Sequence, residues 1–318
     1  MASFEGIFYK KIVNKFSNFN PVQNSNLVQR LKKINQIAVN NYCPKGFALS
    51  QEQTPTGTKY ERITKKNSSK NGKLILYFHG GAYIAGLLYF YKKFAPDFYQ
   101  ESGGAETIFL DYKLAPEYQY PVQLNEALDL WNNLTQRQGY LPENIILSGD
   151  SSGANLALAM MLKLRDNQQK LPAGAFCISV WGDMTGSSES FIFNYSKDIE
   201  FGEIGKKLTQ QKRIALHNSE IYSWLGDINR KNPYVSPVFA EYHNFPPMLF
   251  TVGSDEMLLC DTLTIAHKLK SLHIPVICDV QTEMFHIYTV LRHAMPESSH
   301  SYWLILKFIH RIFKNKSS

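Results

Sequence analysis

From residue 73 onward, short apolar runs alternate with longer segments of helical periodicity, and this alternation restricts the fold more than any other feature of the chain. The strand candidates are Leu74 to Phe78, Thr107 to Leu110, Ile145 to Leu147, Ala175 to Val180, Met248 to Val252 and Val276 to Val280. Tyr60 to Thr64 is expected as an early antiparallel member. Helical patterns fill most intervals: 87 to 101, rich in Phe and Tyr; 124 to 136, with Leu124, Ala127, Leu128 and Trp131; 154 to 165; and 260 to 273. Strands separated by helices are joined as parallel neighbours, so the pattern predicts a mostly parallel sheet covered by helices.

Two regions break the alternation, the first fifty or so residues and the polar, aromatic stretch from about 187 to 232. Both are expected to supply a helical cap, since Ile214, Ala215, Ile221, Tyr222, Trp224 and Leu225 are enough apolar surface to cover a pocket. With 318 residues, 44% hydrophobic and 19% charged, residues 1–318 suit a single α/β domain with such a cap. Residues 1 to 73 hold 13 Lys and Arg against 3 Asp and Glu, so the net charge of +7 belongs to the N-terminal arm. Interleaved Asn, Gln and Ser make that arm read as a solvated face, not a nucleic-acid or membrane site.

The first residues contain no apolar stretch suited to a signal peptide, and no segment has the uninterrupted length of a membrane span. A cytoplasmic protein without stable membrane insertion is expected. Cys43, Cys177, Cys260 and Cys278 lack close metal-ligand spacing and read as free thiols. The apolar stretch Trp303 to Phe313 reads as a last helix packed on the sheet.

The chemistry centres on GDSSG at residues 149 to 153, directly after the apolar run at 145 to 147. Composition alone would produce a GxSxG string in roughly one chain in ten of this length. Here it stands at a strand-to-helix junction, the outline of a nucleophile elbow that exposes the hydroxyl of Ser151. A serine needs a histidine to take its proton and a carboxylate to fix that histidine's tautomer. Asp255, in VGSDEMLL, and His286, in EMFHIY, each follow a strand at its carboxyl end, where ligands bind in open α/β sheets. Glu256 and Asp261 flank the acid position, but Asp255 comes first after the strand. His267, His273 and His293 fall in helical stretches, which leaves His286 as base. The order Ser, Asp, His is that of α/β hydrolases.

A tetrahedral intermediate needs donors for its oxyanion, and HGGAY at 79 to 83 follows the strand Leu74 to Phe78. The backbone amides of Gly80, Gly81 and Ser152 are the expected oxyanion hole. His79 reads as a loop anchor. GDSSG is also similar to the GDSGG of chymotrypsin-like proteases, whose order is His, Asp, Ser. The helix expected directly after Ser151 contradicts their all-β barrels.

HGGAY at 79 to 83, DYKLAPE at 111 to 117, GDSSGAN at 149 to 155, WGDMTGS at 181 to 187, VSPVFA at 235 to 240, VGSDEMLLCD at 252 to 261 and MFHIY at 284 to 288 together resemble the hormone-sensitive lipase family of α/β hydrolases. The resemblance covers roughly residues 70 to 290. It implies a serine carboxylesterase for short acyl esters, capped by N-terminal and inserted helices, with Ser151, Asp255 and His286 as triad and Gly80, Gly81 and Ser152 as oxyanion donors. Ala82 stands where the family has its third glycine, Ser152 where it has alanine, and Lys113 where it has arginine. No metal or organic cofactor is required. The expected partner is a small acyl ester, not nucleic acid, and homo-oligomerisation stays open. The same triad would serve an amidase or deacetylase; a noncatalytic ligand-binding protein on a hydrolase scaffold is the alternative from another class.

Overall fold

In the computed structural model, the described residues are 1–16, 20, 26, 28–31, 33 and 42–314. Eight strands form one sheet: β1 (Phe47–Gln53), β2 (Lys59–Lys65), β3 (Leu74–Phe78), β4 (Glu106–Asp111), β5 (Ile145–Asp150), β6 (Gly174–Ile178), β7 (Met248–Gly253) and β8 (Val276–Gln281). Their spatial order is β1-β2-β4-β3-β5-β6-β7-β8. β2 pairs antiparallel with both β1 and β4, and all pairs from β4 through β8 are parallel. The α/β-hydrolase fold expected above is the fold found.

The central strands are continuous apolar runs because helices bury both of their faces. Leu74, Leu76 and Phe78 of β3 join Leu147 of β5 and the helices Val122–Asn132, Ser152–Asp166 and Leu259–Ser271 on one side. Ile75 and Tyr77 point the other way, joining Phe176, the helix Ala95–Ser102 and the last helix Pro296–Lys314. That last helix buries Tyr302, Ile305, Phe308, Ile309 and Ile312, a spacing of three and four that gives it one core-facing stripe.

Two elements depart from the sequence reading. β1 occupies residues 47–53, so the end of the stretch assigned to a cap up to about 50 belongs to the sheet edge. The helical pattern at 87 to 101 divides into a 3-10 turn, Tyr89–Phe94, and the helix Ala95–Ser102. Pro96 causes the division, since it has no amide proton to continue a helix but fits a first turn. Within the inserted region, the helix Gln210–His217, capped by the Thr209 side chain, is followed by the 3-10 turn Glu220–Tyr222. Residues 17–19, 21–25, 27, 32 and 34–41 of the expected N-terminal cap lie outside the described residues.

Candidate active site

Ser151 sits where β5 ends and the helix Ser152–Asp166 begins, with φ 53° and ψ −118°. That conformation is unusual for a residue with a side chain and is held by its surroundings. The Ser151 amide donates to the Ile178 carbonyl of β6 at 2.9 Å. The flanking glycines are sterically required: a Cβ on Gly149 would lie 2.5 Å from the Gly153 backbone, and one on Gly153 would lie 2.0 Å from the Phe78 carbonyl oxygen. The turn is therefore compressed between β3 and its own helix, which lifts the hydroxyl over the carboxyl edge of the sheet.

His286 reaches this hydroxyl from the loop after β8, with Nε2 2.9 Å from Ser151 Oγ. Its Nδ1 lies 2.9 Å from Glu256 Oε2. The carboxylate can only accept, so Nδ1 carries the proton and Nε2 is left to accept from the serine. Ser151, His286 and Glu256 are all buried.

The acid position must be corrected. The carboxylate on His286 belongs to Glu256, and Asp255 points elsewhere, with Oδ2 2.5 Å from Lys10 Nζ on the helix Phe4–Phe16. The reason is the turn that follows β7. The Glu256 amide donates to the Gly253 carbonyl at 3.2 Å, curling residue 256 back over the strand end, where its side chain also accepts from the Gly253 amide at 2.5 Å and Ser179 Oγ at 2.8 Å. Asp255, one residue earlier, is turned instead toward the N-terminal helix. Ser179, to which the sequence reading assigned no role, ties both partners together, because its Oγ also accepts from the Ile287 amide at 3.0 Å. His267, His273 and His293 are exposed; only His267 is helical, since the helix Leu259–Ser271 ends before His273 and His293 lies in a turn.

Burial alone would favour neutral His286. The hydrogen bond and charge of Glu256 lead the effects that outweigh it and hold the imidazole up at about 9.

The loop after β3 needs a second correction. The Gly80 amide donates to Asp150 Oδ1 at 3.0 Å and to Tyr91 Oη at 3.1 Å, so it is already committed and is not the free donor expected of it. Asp150 is also held by Tyr77 Oη at 3.0 Å and Tyr91 Oη at 2.9 Å. Burial raises its carboxyl to about 6, against the downward pull of these donors. Among the described residues the amides of Gly81 and Ala82 have no acceptor within the protein. Ser152 opens its helix, where an amide has no intrahelical acceptor. His79 anchors this loop: it is buried, stacks on Tyr112 at 4.1 Å, and is lowered by burial to about 4, hence neutral. Tyr112 Oη in turn donates to the His79 carbonyl at 2.7 Å, which gives the DYKLAPE segment a structural task.

Residues 75–290 match the family described as the alpha/beta hydrolase fold. Over 253 residues the chain is 32% identical to an esterase of Acinetobacter venetianus, covering 79% of this chain and 78% of that one. An acetyl-hydrolase of Streptomyces hygroscopicus is 28% identical, covering 72% of each. Among solved structures, a hormone-sensitive lipase from a metagenome library superposes with TM-score 0.79 at 25% identity, over 98% of this chain and 99% of that one. This chain belongs to the hormone-sensitive lipase family of α/β hydrolases. It is a carboxylic ester hydrolase.

Ser151 of this esterase stands between two unequal spaces. One is a recess of about 30 Å³ lined by apolar groups such as Trp181, Phe191, Leu216 and Tyr222. The other is a cavity of about 280 Å³ that reaches from His286 past Phe201 and Glu200 to Val13 and Leu31. No helix among the described residues is long and apolar enough to cross a membrane.

Proposed function

We propose that this esterase hydrolyses short-chain, acetyl-like esters through a Ser151–His286–Glu256 triad. His286 Nε2 takes the Ser151 proton as Oγ attacks the ester carbonyl. The amides of Gly81 and Ser152, joined by that of Ala82 in place of Gly80, receive the oxyanion. Collapse of the tetrahedral intermediate breaks the ester C–O bond, and the leaving alkoxide takes the proton back from His286. Water, deprotonated by His286, then cleaves the acyl-enzyme and frees Ser151.

The observation that carries this reading is the continuous hydrogen-bonded line from Ser151 Oγ through both nitrogens of His286 to Glu256, at 2.9 Å in each step. A noncatalytic binding protein has no use for such a line beside a strained serine. The small recess supports a short acyl group, while the larger cavity suits the alcohol. The cap reading is supported by Val13 and Leu31 from the N-terminal segment and by Phe191, Phe201, Leu216 and Ile221 from the 187–232 insertion, all of which line these spaces. Four free cysteines are in keeping with a reducing compartment such as the cytoplasm.

The Ser151→Ala variant is expected to lose turnover of p-nitrophenyl acetate while keeping the wild-type circular dichroism spectrum. Turnover comparable to wild type in the folded variant would overturn the mechanism. A series of p-nitrophenyl esters from acetate upward tests the recess, and rates that hold steady through long acyl chains would refute its proposed role.

A further inference from the structure

One buried group has no part in the mechanism above. Glu200, in the insertion, lines the larger cavity together with Ser151 and His286 and is only 6% exposed. No other Asp or Glu, and no Lys or Arg, lines that cavity among the described residues; its walls are otherwise mostly aliphatic and aromatic. The Glu200 backbone is fixed, since its amide and that of Phe201 both donate to Asp198 Oδ1 at 2.9 Å. Asp198 Oδ2 accepts from the Met257 amide at 2.8 Å, which locks this turn onto the loop carrying Glu256. By contrast, the Glu200 carboxyl has no hydrogen-bond partner among the described residues.

A buried carboxyl without a partner costs stability, and an apolar side chain of similar volume would fill the same wall more cheaply. Its surroundings say what it can recognise. The charged groups acting on it are His286, Asp198 and Glu256, two of the three being carboxylates. Burial raises the Glu200 carboxyl to about 8; the charge of His286 pulls it down and those two carboxylates push it up. Burial penalises a lone charge there, and an ammonium placed beside the carboxyl would offset that cost, letting Glu200 ionise and release its proton to solvent.

We propose that Glu200 is a substrate-binding residue that selects esters carrying a protonated amine in the alcohol moiety, the ammonium lying in the larger cavity against the carboxylate. The proposal rests on the esterase reading above, with the acyl group in the small recess and the alcohol in the cavity.

Matched acetates test it. In 2-(dimethylamino)ethyl acetate a protonated nitrogen replaces the branch carbon of 3-methylbutyl acetate at nearly constant shape. The wild-type enzyme is expected to favour the amino ester in kcat/KM by roughly tenfold or more, a paired charge being worth over 1 kcal/mol in a desolvated site. In Glu200→Gln and Glu200→Leu that ratio should fall to about one. Acetylcholine against 3,3-dimethylbutyl acetate repeats the comparison without an N–H donor, and a preference retained there assigns the effect to charge. A wild-type ratio of one or below, or a ratio unchanged by both substitutions, overturns the proposal.

Calorimetry with Ser151→Ala separates this question from the esterase reading. Binding of the amino ester that is tighter than that of its neutral isostere, and is lost on adding Glu200→Gln, supports the site even if neither ester is turned over. Equal affinities refute it. A purely structural Glu200 would make Glu200→Leu melt lower than wild type; as a binding residue held at a cost to stability, its replacement should leave the melting temperature equal or higher.

Discussion

Replacing Glu256 and Asp255 one at a time separates two adjacent carboxylates with different surroundings. Glu256 is fully buried and accepts three hydrogen bonds, from His286 Nδ1 at 2.9 Å, Ser179 Oγ at 2.8 Å and the Gly253 amide at 2.5 Å. In Glu256→Gln an amide replaces the carboxylate, and its NH2 group can satisfy His286 only if Nδ1 becomes an acceptor. The proton then sits on Nε2, facing Ser151, and the imidazole cannot serve as base. Loss of the correct tautomer in a triad costs about 10,000-fold in kcat, or about 5 kcal/mol of transition-state stabilisation. Asp255→Asn breaks only the partly exposed pair with Lys10, worth about 0–1 kcal/mol of stability. Its kcat should stay within about twofold of wild type, since the lost contact touches no reacting group. Initial rates on p-nitrophenyl acetate, with thermal melts to establish folding, read both variants. A folded Asp255→Asn that is as crippled as Glu256→Gln, or a Glu256→Gln retaining more than about a tenth of wild-type kcat, would refute the assignment.

Two further outcomes follow from the same geometry. Because Glu256 raises the proton affinity of His286, and the base must be neutral to act, kcat/KM should climb with pH along a limb lying above the ordinary histidine value of 6.5 and approaching about 9. A pH–rate profile with its acid limb at or below 6.5 would contradict that environment. Gly153→Ala would place a methyl group 2.0 Å from the Phe78 carbonyl oxygen and 2.5 Å from that of His79, neither of which can swing aside. We expect a loss of at least about 3 kcal/mol, read as a melting temperature lower by several degrees; a melt within about a degree of wild type would show that the elbow is less tightly packed.

The central strands were legible because burial on two faces writes them as uninterrupted apolar runs, and β3 begins and ends at the residues expected of it. β1 was not legible: in Phe47–Gln53 only Phe47 is buried, so an edge strand there looks like a polar loop. Ser151 and His286, whose side chains meet at 2.9 Å, could be singled out because each follows a strand whose end the apolar pattern marks. Choosing between Asp255 and Glu256 depends on how a four-residue turn curls, and neighbouring carboxylates in VGSDE carry no periodicity from which to read it. Gly80 misled for a similar reason. Its amide is taken by Asp150, seventy residues away, a contact no local pattern encodes. Glu200 was invisible as well, because a single acid in an irregular segment looks like any solvated residue until the walls around it are known.

Asp150, the second residue of GDSSG, joins two motifs that lie far apart in sequence. Its carboxylate is shared by the amide of Gly80 from the HGGAY loop and by the hydroxyls of Tyr77 and Tyr91, so shifting any one of them strands the others in a dry interior. For engineering, the two motifs are a single design variable. A library that diversifies the HGGAY loop while holding GDSSG fixed should lose many members to misfolding, and useful changes in substrate range should come instead from cavity walls outside this junction, such as Val13, Ile221 and Leu291.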